Sequence, residues 1–205
     1  GWKQWNTVNP SQMVTVDLHG DGTDELAAAF AGYGLWIYDP TTGWTQINTI
    51  VPDAMIRMNN GLVFDYGVYG LWYWTQVSGW QQWNTVEPGQ MVAVDIDSDT
   101  QEELAVTFSG YGLWIYDPGN APATRWNQIN TILPDAMIRL GNGLAFDYGV
   151  YGLWYWTQAG LWQQWNTVEP GQMVAVDVDK DGLEELAVTF SGYGLWIYDP
   201  GNAPA

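Results

Sequence analysis

The feature that most constrains the fold is an internal repeat. Near-copies of one segment begin at Trp2, Trp80 and Trp162, with offsets of 78 and 82 residues. The difference arises in one connection, which spans residues 39–44 in the first copy and is four residues longer, residues 117–126, in the second. Insertions are tolerated in surface loops far better than in packed elements. The repeat therefore predicts a series of similar units joined by loops of variable length.

Each long copy splits into two shorter, related units. The tetrapeptide Tyr-Gly-Leu-Trp occurs five times, beginning at Tyr33, Tyr69, Tyr111, Tyr151 and Tyr193. The chain thus contains five units of roughly forty residues in the order A, B, A, B, A, where the A units hold the first, third and fifth tetrapeptides. Residues 79–119 and 161–201 are nearly identical, which indicates either recent duplication or deliberate construction.

Short β-strands fit these units better than helices. The first unit contains four short segments, residues 12–17, 26–30, 35–38 and 44–47, most of them rich in β-branched or aromatic residues. Gly, Pro, Asn or Asp separates the segments, and no stretch keeps a helical apolar period for three turns. The Asn-Gly pairs at Asn60 and Asn142 predict type I′ hairpins. Four antiparallel strands in each of five units predict an all-β chain, a β-propeller with five four-stranded blades.

We expect one propeller domain over residues 1–205. Its predicted blades span residues 11–48, 53–85, 89–130, 135–167 and 171–199, with residues 1–8 added to the last. Residues 2–7 match residues 80–85, the fourth strand of a blade, so an N-terminal strand is expected to close the last blade within a monomer.

The odd number of units leaves an alternative open. Strands before A blades carry Trp5, Trp83 and Trp165, whereas those before B blades carry Ile47 and Ile129 at the matching position. Two A blades would meet where a five-bladed ring closes. A parent with an even number of blades, or closure through a second chain in a dimer, is the competing arrangement.

Charge and composition exclude several classes of function. The formal net charge is -18, from 23 acidic and 5 basic residues, so phosphate-rich partners such as nucleic acid and anionic membrane surfaces are disfavoured. Fifteen tryptophans and twelve tyrosines exclude a disordered acidic chain. No apolar run is long enough to insert into a membrane, and the absence of cysteine excludes disulfides and thiolate metal sites.

Each A unit carries an acidic loop between its first two predicted strands. The loops span residues 17–25, 95–103 and 177–185, with acidic residues at most of positions 1, 3, 5 and 9. Carboxylate oxygens at these positions, with a backbone carbonyl at position 7, suit Ca²⁺, which takes six to eight oxygen ligands. The alternative is that the loops are solvated acidic hairpins. The B units have residues 58–62 and 140–144 in place of the loop, and we expect no metal there.

The loops, followed by Glu-Leu-Ala and then Gly-Tyr-Gly-Leu-Trp, resemble the FG-GAP or VCBS repeats of integrin-like β-propellers. Such repeats occur in extracellular bacterial proteins and in some fungal lectins. The resemblance covers all five units and implies an extracellular, secreted protein with a structural calcium ion in each loop, up to three in all. The implied ligand positions are Asp17, His19, Asp21 and Glu25; Asp95, Asp97, Asp99 and Glu103; and Asp177, Asp179, Asp181 and Glu185.

The three loops differ in how well they match a calcium site. His19 occupies the second ligand position of the first loop and removes a charged oxygen. The second loop keeps its acids but has Thr100 where the third has Gly182, so its turn is expected to be less relaxed. We therefore rank the third loop as the strongest site and the first as the weakest.

The residues needed for catalysis are sparse, so we predict that the chain is not an enzyme and has no catalytic residues. Its single histidine, His19, lies in a metal loop, and there is no nucleophile elbow or phosphate-binding loop. Asp65 and Asp147 lie close in sequence to Arg57 and Arg139 of the neighbouring predicted strand. An ion pair within or between blades explains them better than acid-base chemistry.

A glycan-binding module is the predicted function. Aromatic rings beside amides and carboxylates satisfy both the apolar face and the hydroxyl groups of a sugar. The predicted ligand-binding residues are Trp5, Asn6, Trp83, Asn84, Glu87, Gln90, Trp165, Asn166, Glu169 and Gln172. Two alternatives stay open: these side chains serve packing and turns, or the chain is an adhesion scaffold or an engineered propeller with no small-molecule ligand.

Overall fold

A computed structural model describes residues 1–200 of the chain. The described residues contain nineteen strands and three short 3-10 turns, Gly67–Tyr69, Pro122–Thr124 and Gly149–Tyr151. The strands are β1 (Gln12–Val16), β2 (Glu25–Phe30), β3 (Gly34–Asp39), β4 (Gly43–Asn48), β5 (Ala54–Met58), β6 (Gly61–Asp65), β7 (Leu71–Thr75), β8 (Gly79–Asn84), β9 (Pro88–Val94), β10 (Glu103–Phe108), β11 (Gly112–Tyr116), β12 (Trp126–Asn130), β13 (Ala136–Leu140), β14 (Gly143–Asp147), β15 (Leu153–Thr157), β16 (Leu161–Asn166), β17 (Pro170–Val176), β18 (Glu185–Phe190) and β19 (Gly194–Tyr198).

Five antiparallel sheets form from strands that are consecutive in sequence. Four sheets have four strands, β1–β4, β5–β8, β9–β12 and β13–β16, and the fifth has three, β17–β19. The chain divides into two compact units, Gly1–Gly89 and Gln90–Ala205. The first unit contains the first two sheets. The second contains most of β9 and all the later strands. No helix among residues 1–200 is long and apolar enough to cross a membrane.

The second strands of the sheets contribute most to the cores, whereas the third strands range from mostly buried in β11 to mostly exposed in β19. Every residue of β6, β10 and β14 is buried, as expected for strands covered on both faces. In the first unit, Val16, Leu35, Leu62 and Phe64 belong to one core cluster that joins the two sheets. Packing on both faces explains why these strands are almost uniformly apolar and do not alternate with polar residues.

The predicted N-terminal strand is one part of the fold that differs from the prediction. Residues 1–11 form no strand, and the fifth sheet has three strands among the described residues. Trp5 instead stacks on Tyr38 of β3, with ring centroids 4.3 Å apart. The same kind of contact joins Trp165 of β16 to Tyr198 of β19 at 4.1 Å. The segment therefore makes a ring contact like that of Trp165 without forming a strand, and the predicted N-terminal strand is not present among the described residues.

The hairpins of the B sheets also differ from the prediction. Met58 pairs with Gly61, so the two loop residues are Asn59 and Asn60, and only Asn59 has a positive φ, of 51°. The Asn60-Gly61 type I′ turn is therefore wrong by one residue. Gly61 begins β6, where a Cβ atom would lie 2.6 Å from the hydroxyl of Tyr73. Close approach of a side chain, and not turn geometry, explains this glycine.

Candidate functional site

The three acidic loops share one backbone conformation. They connect β1 to β2, β9 to β10 and β17 to β18. Each has positive φ angles at its fourth and sixth positions: Gly20 (68°) and Gly22 (83°), Ser98 (65°) and Thr100 (77°), and Lys180 (66°) and Gly182 (88°). Left-handed residues curl a short loop tightly. The three loops therefore share these two left-handed positions, although the placement of their side chains differs.

The third loop brings all four of its predicted ligands together. Asp177, Asp179, Asp181 and Glu185 each offer an oxygen, and these atoms lie within 4.8 Å of one another. Glu185 is 1% exposed, and its Oε2 accepts the Val178 N–H at 2.6 Å. Its Oε1 is buried without a hydrogen-bond partner among the described residues. A buried carboxylate oxygen without a donor is costly unless a cation or proton satisfies it.

The second loop brings its ligands together in two overlapping groups. Asp95, Asp97 and Asp99 form one, and Asp97, Glu103 and Asp117 form the other. Asp95 Oδ1 is buried and has no hydrogen-bond partner among the described residues. The loop therefore also holds a carboxylate oxygen that lacks a donor.

Burial of Glu103 has an electrostatic consequence. Glu103 is 2% exposed, and burial raises its pKa to about 7. The hydrogen bond from the Ile96 N–H acts in the opposite direction and lowers the pKa. The carboxylates of Asp97, Asp117 and Asp99 raise it further. Negative charge is thus concentrated where a divalent cation would relieve both the desolvation and the repulsion.

The first loop is arranged differently. Its group contains His19, Glu25 and Asp39, with His19 Nε2 lying 3.7 Å from Glu25 Oε1 and 3.4 Å from Asp39 Oδ2. The predicted ligands Asp17 and Asp21 do not belong to this group. The Asp17 carboxylate instead accepts hydrogen bonds from backbone N–H groups of its own loop. The Gly22 N–H, for example, donates to Asp17 Oδ2 at 2.8 Å. These bonds lower the pKa of Asp17. This loop offers a mixed nitrogen and oxygen set.

Sequence reasoning missed Asp39 and Asp117. Asp39 ends β3 and Asp117 follows β11, the third strands of two A sheets, and an Asp-Pro pair occurs at this point in all three A units, at Asp39, Asp117 and Asp199. The B units have Thr75 and Thr157 at this point. Because the aspartate occurs only in the units that carry acidic loops, that association was the available signal.

The tryptophans of the predicted glycan set have ring partners. Trp83 stacks on Tyr73 with centroids 4.4 Å apart, and Trp165 lies 4.3 Å from Tyr155 and 4.1 Å from Tyr198. Stacked and offset ring pairs of this kind contribute to packing. Much of the ring surface of Trp165 is therefore covered by protein.

The asparagines of the set cap turns. The Oδ1 atoms of Asn6, Asn84 and Asn166 accept the backbone N–H two residues later, at 2.9, 3.0 and 2.9 Å. Among the described residues, the side-chain N–H groups of Asn166 have no acceptor, which leaves them available to a ligand. Glu87 and Glu169, close by in sequence, are exposed.

The two glutamines of the set are in different situations. Gln90 donates to the carbonyl groups of Pro134 and Asp135 at 3.0 and 3.1 Å and accepts the Met137 N–H at 2.9 Å. Its amide is therefore fully used in joining two sheets of the second unit. Gln172, by contrast, is exposed, and its backbone N–H donates to Thr189 Oγ1.

A cavity of about 200 Å³ lies beside part of this set in the second unit. Trp165 and Asn166 line it together with Tyr193, Trp196 and Phe190, among others. Trp196 is 56% exposed. The structure thus places two predicted glycan-binding residues at an aromatic cavity, next to the available amide N–H groups of Asn166.

Two further cavities, which sequence reasoning missed, occupy equivalent positions in the two units. Their volumes are about 300 and 350 Å³. The first is lined by Asn48, Ile50, Tyr66, Tyr69, Trp72 and Trp80. The second is lined by the same residue types 82 positions later, Asn130, Ile132, Tyr148, Tyr151, Trp154 and Trp162, and by Ile129. Each lies where the fourth strand of an A sheet leads into a B sheet.

The predicted pairing of Asp147 with Arg139 is not present. Asp147 is buried, and its Oδ1 accepts the Gly149 N–H at 2.7 Å. Arg139 Nη2 instead lies 2.9 Å from Glu184 Oε1, in an ion pair between two sheets of the second unit. The strand register explains this, because Arg139 is opposite Leu144, three residues before Asp147.

No protein-family model and no curated protein matches this sequence. Among solved structures, the chain is similar to two crystal structures of BBS1N in complex with ARL6DN, soaked with mercury and with lead, at TM-scores of 0.64 and 0.61. Sequence identity is 15% and 16%, and the matches cover 93% and 92% of this chain. The chain spans 66% and 65% of the length of those chains, just under two thirds. Since BBS1N is a β-propeller, the comparison confirms the predicted propeller fold.

Proposed function

We propose that this chain is a non-catalytic binding module, a β-propeller stabilised by calcium in its A-blade loops, whose ligand is a carbohydrate. The observation that carries the calcium part is the third loop. Four carboxylates converge there, and one of them, Glu185, buries an oxygen that has no donor among the described residues. An all-oxygen set of this kind suits Ca²⁺ better than a softer metal.

Charge and sequence resemblance support the same proposal. Three divalent ions would change the net charge from -18 to about -12, which reduces self-repulsion in the folded chain. The resemblance to FG-GAP or VCBS repeats implies structural calcium and an extracellular location, where calcium modules work at high calcium concentrations.

The carbohydrate part rests on the cavity beside Trp165. Its aromatic lining offers apolar surface to the C–H face of a sugar ring, and the N–H groups of Asn166 offer donors to a hydroxyl group. Shallow sites of this kind give weak affinity that multivalency makes useful.

A protein partner is the second candidate. BBS1N, to which the fold is similar, is in complex with ARL6DN in both matched structures. A scaffold or adhesion role would use the exposed surface in the same way, without a small-molecule ligand.

Glycan-array binding tests the carbohydrate proposal. Asn166→Asp keeps the oxygen that accepts the Val168 N–H and removes the amide donors, and Trp196→Ala removes an exposed ring from the cavity. Both should reduce binding by about two- to tenfold, because a hydrogen bond or an aromatic contact contributes about 0.5–1.5 kcal/mol. Trp2→Ala, at a fully exposed tryptophan that lines no described cavity, should leave binding unchanged. Silence on a broad array from a folded protein in calcium would contradict the carbohydrate proposal and favour a protein partner.

A further inference from the structure

The two equivalent cavities, one in each unit, have walls made of aromatic rings that meet at steep angles. In the first cavity, the ring centroid of Trp80 lies 5.9 Å from that of Tyr66 and 6.5 Å from that of Trp72. The planes of these ring pairs make angles of 59° and 74°. In the second, Tyr148 and Trp162 repeat the 5.9 Å distance and the 59° angle. Rings at such angles form the sides of a corner. Tyr69 and Tyr151, both mostly exposed, stand at the openings.

The polar groups of the first cavity are largely used by the protein itself. Asn48 donates to the Tyr66 hydroxyl at 3.0 Å and accepts the Ile50 N–H at 3.0 Å. Trp72 Nε1 donates to the Tyr69 carbonyl group at 2.8 Å. Asn130 and Trp154 make the same bonds in the second cavity. A sugar would find few partners for its hydroxyl groups here, whereas the ring faces are available to a ligand that needs none.

Acidic groups lie near the turn that supplies two of these rings. Asp65 precedes Tyr66, and its carboxylate accepts the Gly67 N–H at 2.7 Å. Asp53 and Glu87 are close enough to Asp65 that their charges, added to burial, raise its pKa. Asp147, Asp135 and Glu169 repeat this arrangement in the second unit. Neither cavity is lined by a lysine or an arginine.

We propose that each of these two cavities binds an organic cation through a methylated ammonium group. The negative faces of several rings attract such a cation, and its methyl groups fill an apolar corner without requiring hydrogen-bond acceptors. The nearby carboxylates and the net charge of -18 raise the local concentration of cations. A primary ammonium group is more strongly hydrated and suits the site less well. This proposal uses different cavities from the carbohydrate proposal and does not depend on it.

Calorimetric titration of the full chain with choline tests the proposal. We expect two sites per chain, one for each cavity. The uncharged isostere 3,3-dimethyl-1-butanol has the same shape and should bind at least about tenfold more weakly, because it lacks the cation–ring attraction. Equal affinity for the two compounds, or no binding of choline at millimolar concentrations, would overturn the proposal.

Matched variants assign the sites. Tyr69→Leu and Tyr151→Leu should each remove one of the two sites, and the double variant both. Tyr69→Phe keeps the aromatic ring and should retain the site. It is therefore the control that assigns a loss of binding in Tyr69→Leu to the ring itself. Tyr33→Leu and Tyr111→Leu change equally exposed tyrosines of the A blades that line neither cavity, and should keep two sites. Undiminished binding in the Tyr69→Leu and Tyr151→Leu double variant would also overturn the proposal.

Discussion

Thr100 occupies a backbone conformation that a β-branched residue adopts at a cost. Its φ is 77°, whereas the equivalent positions of the other acidic loops are Gly22 and Gly182, at 83° and 88°. A non-glycine residue in this region costs about 1–3 kcal/mol. The loop therefore retains a strained residue at the centre of a candidate metal site.

Thr100→Gly should raise the free energy of unfolding by about 1 kcal/mol, because glycine adopts the same angle without strain, less its own entropic cost. Urea denaturation in the presence of a chelator measures this. Gly182→Thr, the reverse exchange in the third loop, should destabilise by a similar amount. A Thr100→Gly variant that is no more stable than the parent would contradict the strain assigned to this turn.

Asp147 predicts a pH dependence of stability. Burial raises its pKa above the ordinary value, and Asp135 and Glu169 add to the rise, against the effect of the Gly149 N–H. Because the native state holds this proton more tightly than the unfolded state, the stabilisation is fully present below the unfolded pKa. It is lost as the pH rises through the folded pKa.

Asp147→Asn removes the titration while keeping an oxygen for the Gly149 N–H. Relative to the parent, the variant should gain stability as the pH rises from about 3 to about 7. Denaturation series at several pH values measure the difference, and Asp65→Asn should repeat it in the first unit. Parallel stability curves for variant and parent would show that the buried carboxyl group does not contribute.

In the third acidic loop, two adjacent glutamates allow the effect of a predicted calcium ligand to be compared with that of a neighbouring residue. Glu185 belongs to the carboxylate group, whereas Glu184 forms the ion pair with Arg139. Glu185→Gln should reduce the rise in melting temperature produced by calcium, because it weakens one site. Without calcium it should not destabilise, since it removes a buried charge.

Glu184→Gln is the matched control, because it should leave the effect of calcium unchanged and cost less than about 1 kcal/mol, as expected for an exposed ion pair. Differential scanning calorimetry with calcium and with chelator measures both variants. An equal response to calcium in Glu185→Gln and the parent would remove Glu185 from the set of ligands.

Local sequence predicted the strands well but not every contact between them. The apolar segments and their glycine and proline boundaries were sufficient to place β2, β3, β6 and β7, because β2 and β6 are almost entirely buried and β3 and β7 are at least partly buried. The predicted turn at Asn60-Gly61 was wrong by one residue. Gly61 is needed because the Tyr73 side chain approaches it closely, and in sequence such a glycine cannot be distinguished from a turn glycine. Asp39 was missed as a neighbour of His19 because it lies at the end of β3, 20 residues later in the sequence.

For the chain as a unit, the repeat carried most of the prediction. Five related units gave five sheets, and the comparison with BBS1N confirms the propeller fold. The repeat also misled the prediction at the N-terminus, where residues 2–7 match a fourth strand but form none. Sequence identity between segments indicates which residues could form a strand, and it does not by itself produce the pairing. The repeat places Trp83 and Trp165 in ring stacks with Tyr73 and Tyr155, and their role in ligand binding stays a prediction.

Thermal unfolding over a series of calcium concentrations tests the central claim most directly. If the acidic loops bind calcium only in the folded chain, the melting temperature should rise continuously with concentration. In the saturating range, each site should add about 1.4 kcal/mol of stability for every tenfold increase. Chelator should reverse the rise. Identical melting temperatures in calcium and in chelator would contradict the assignment of these loops as metal sites.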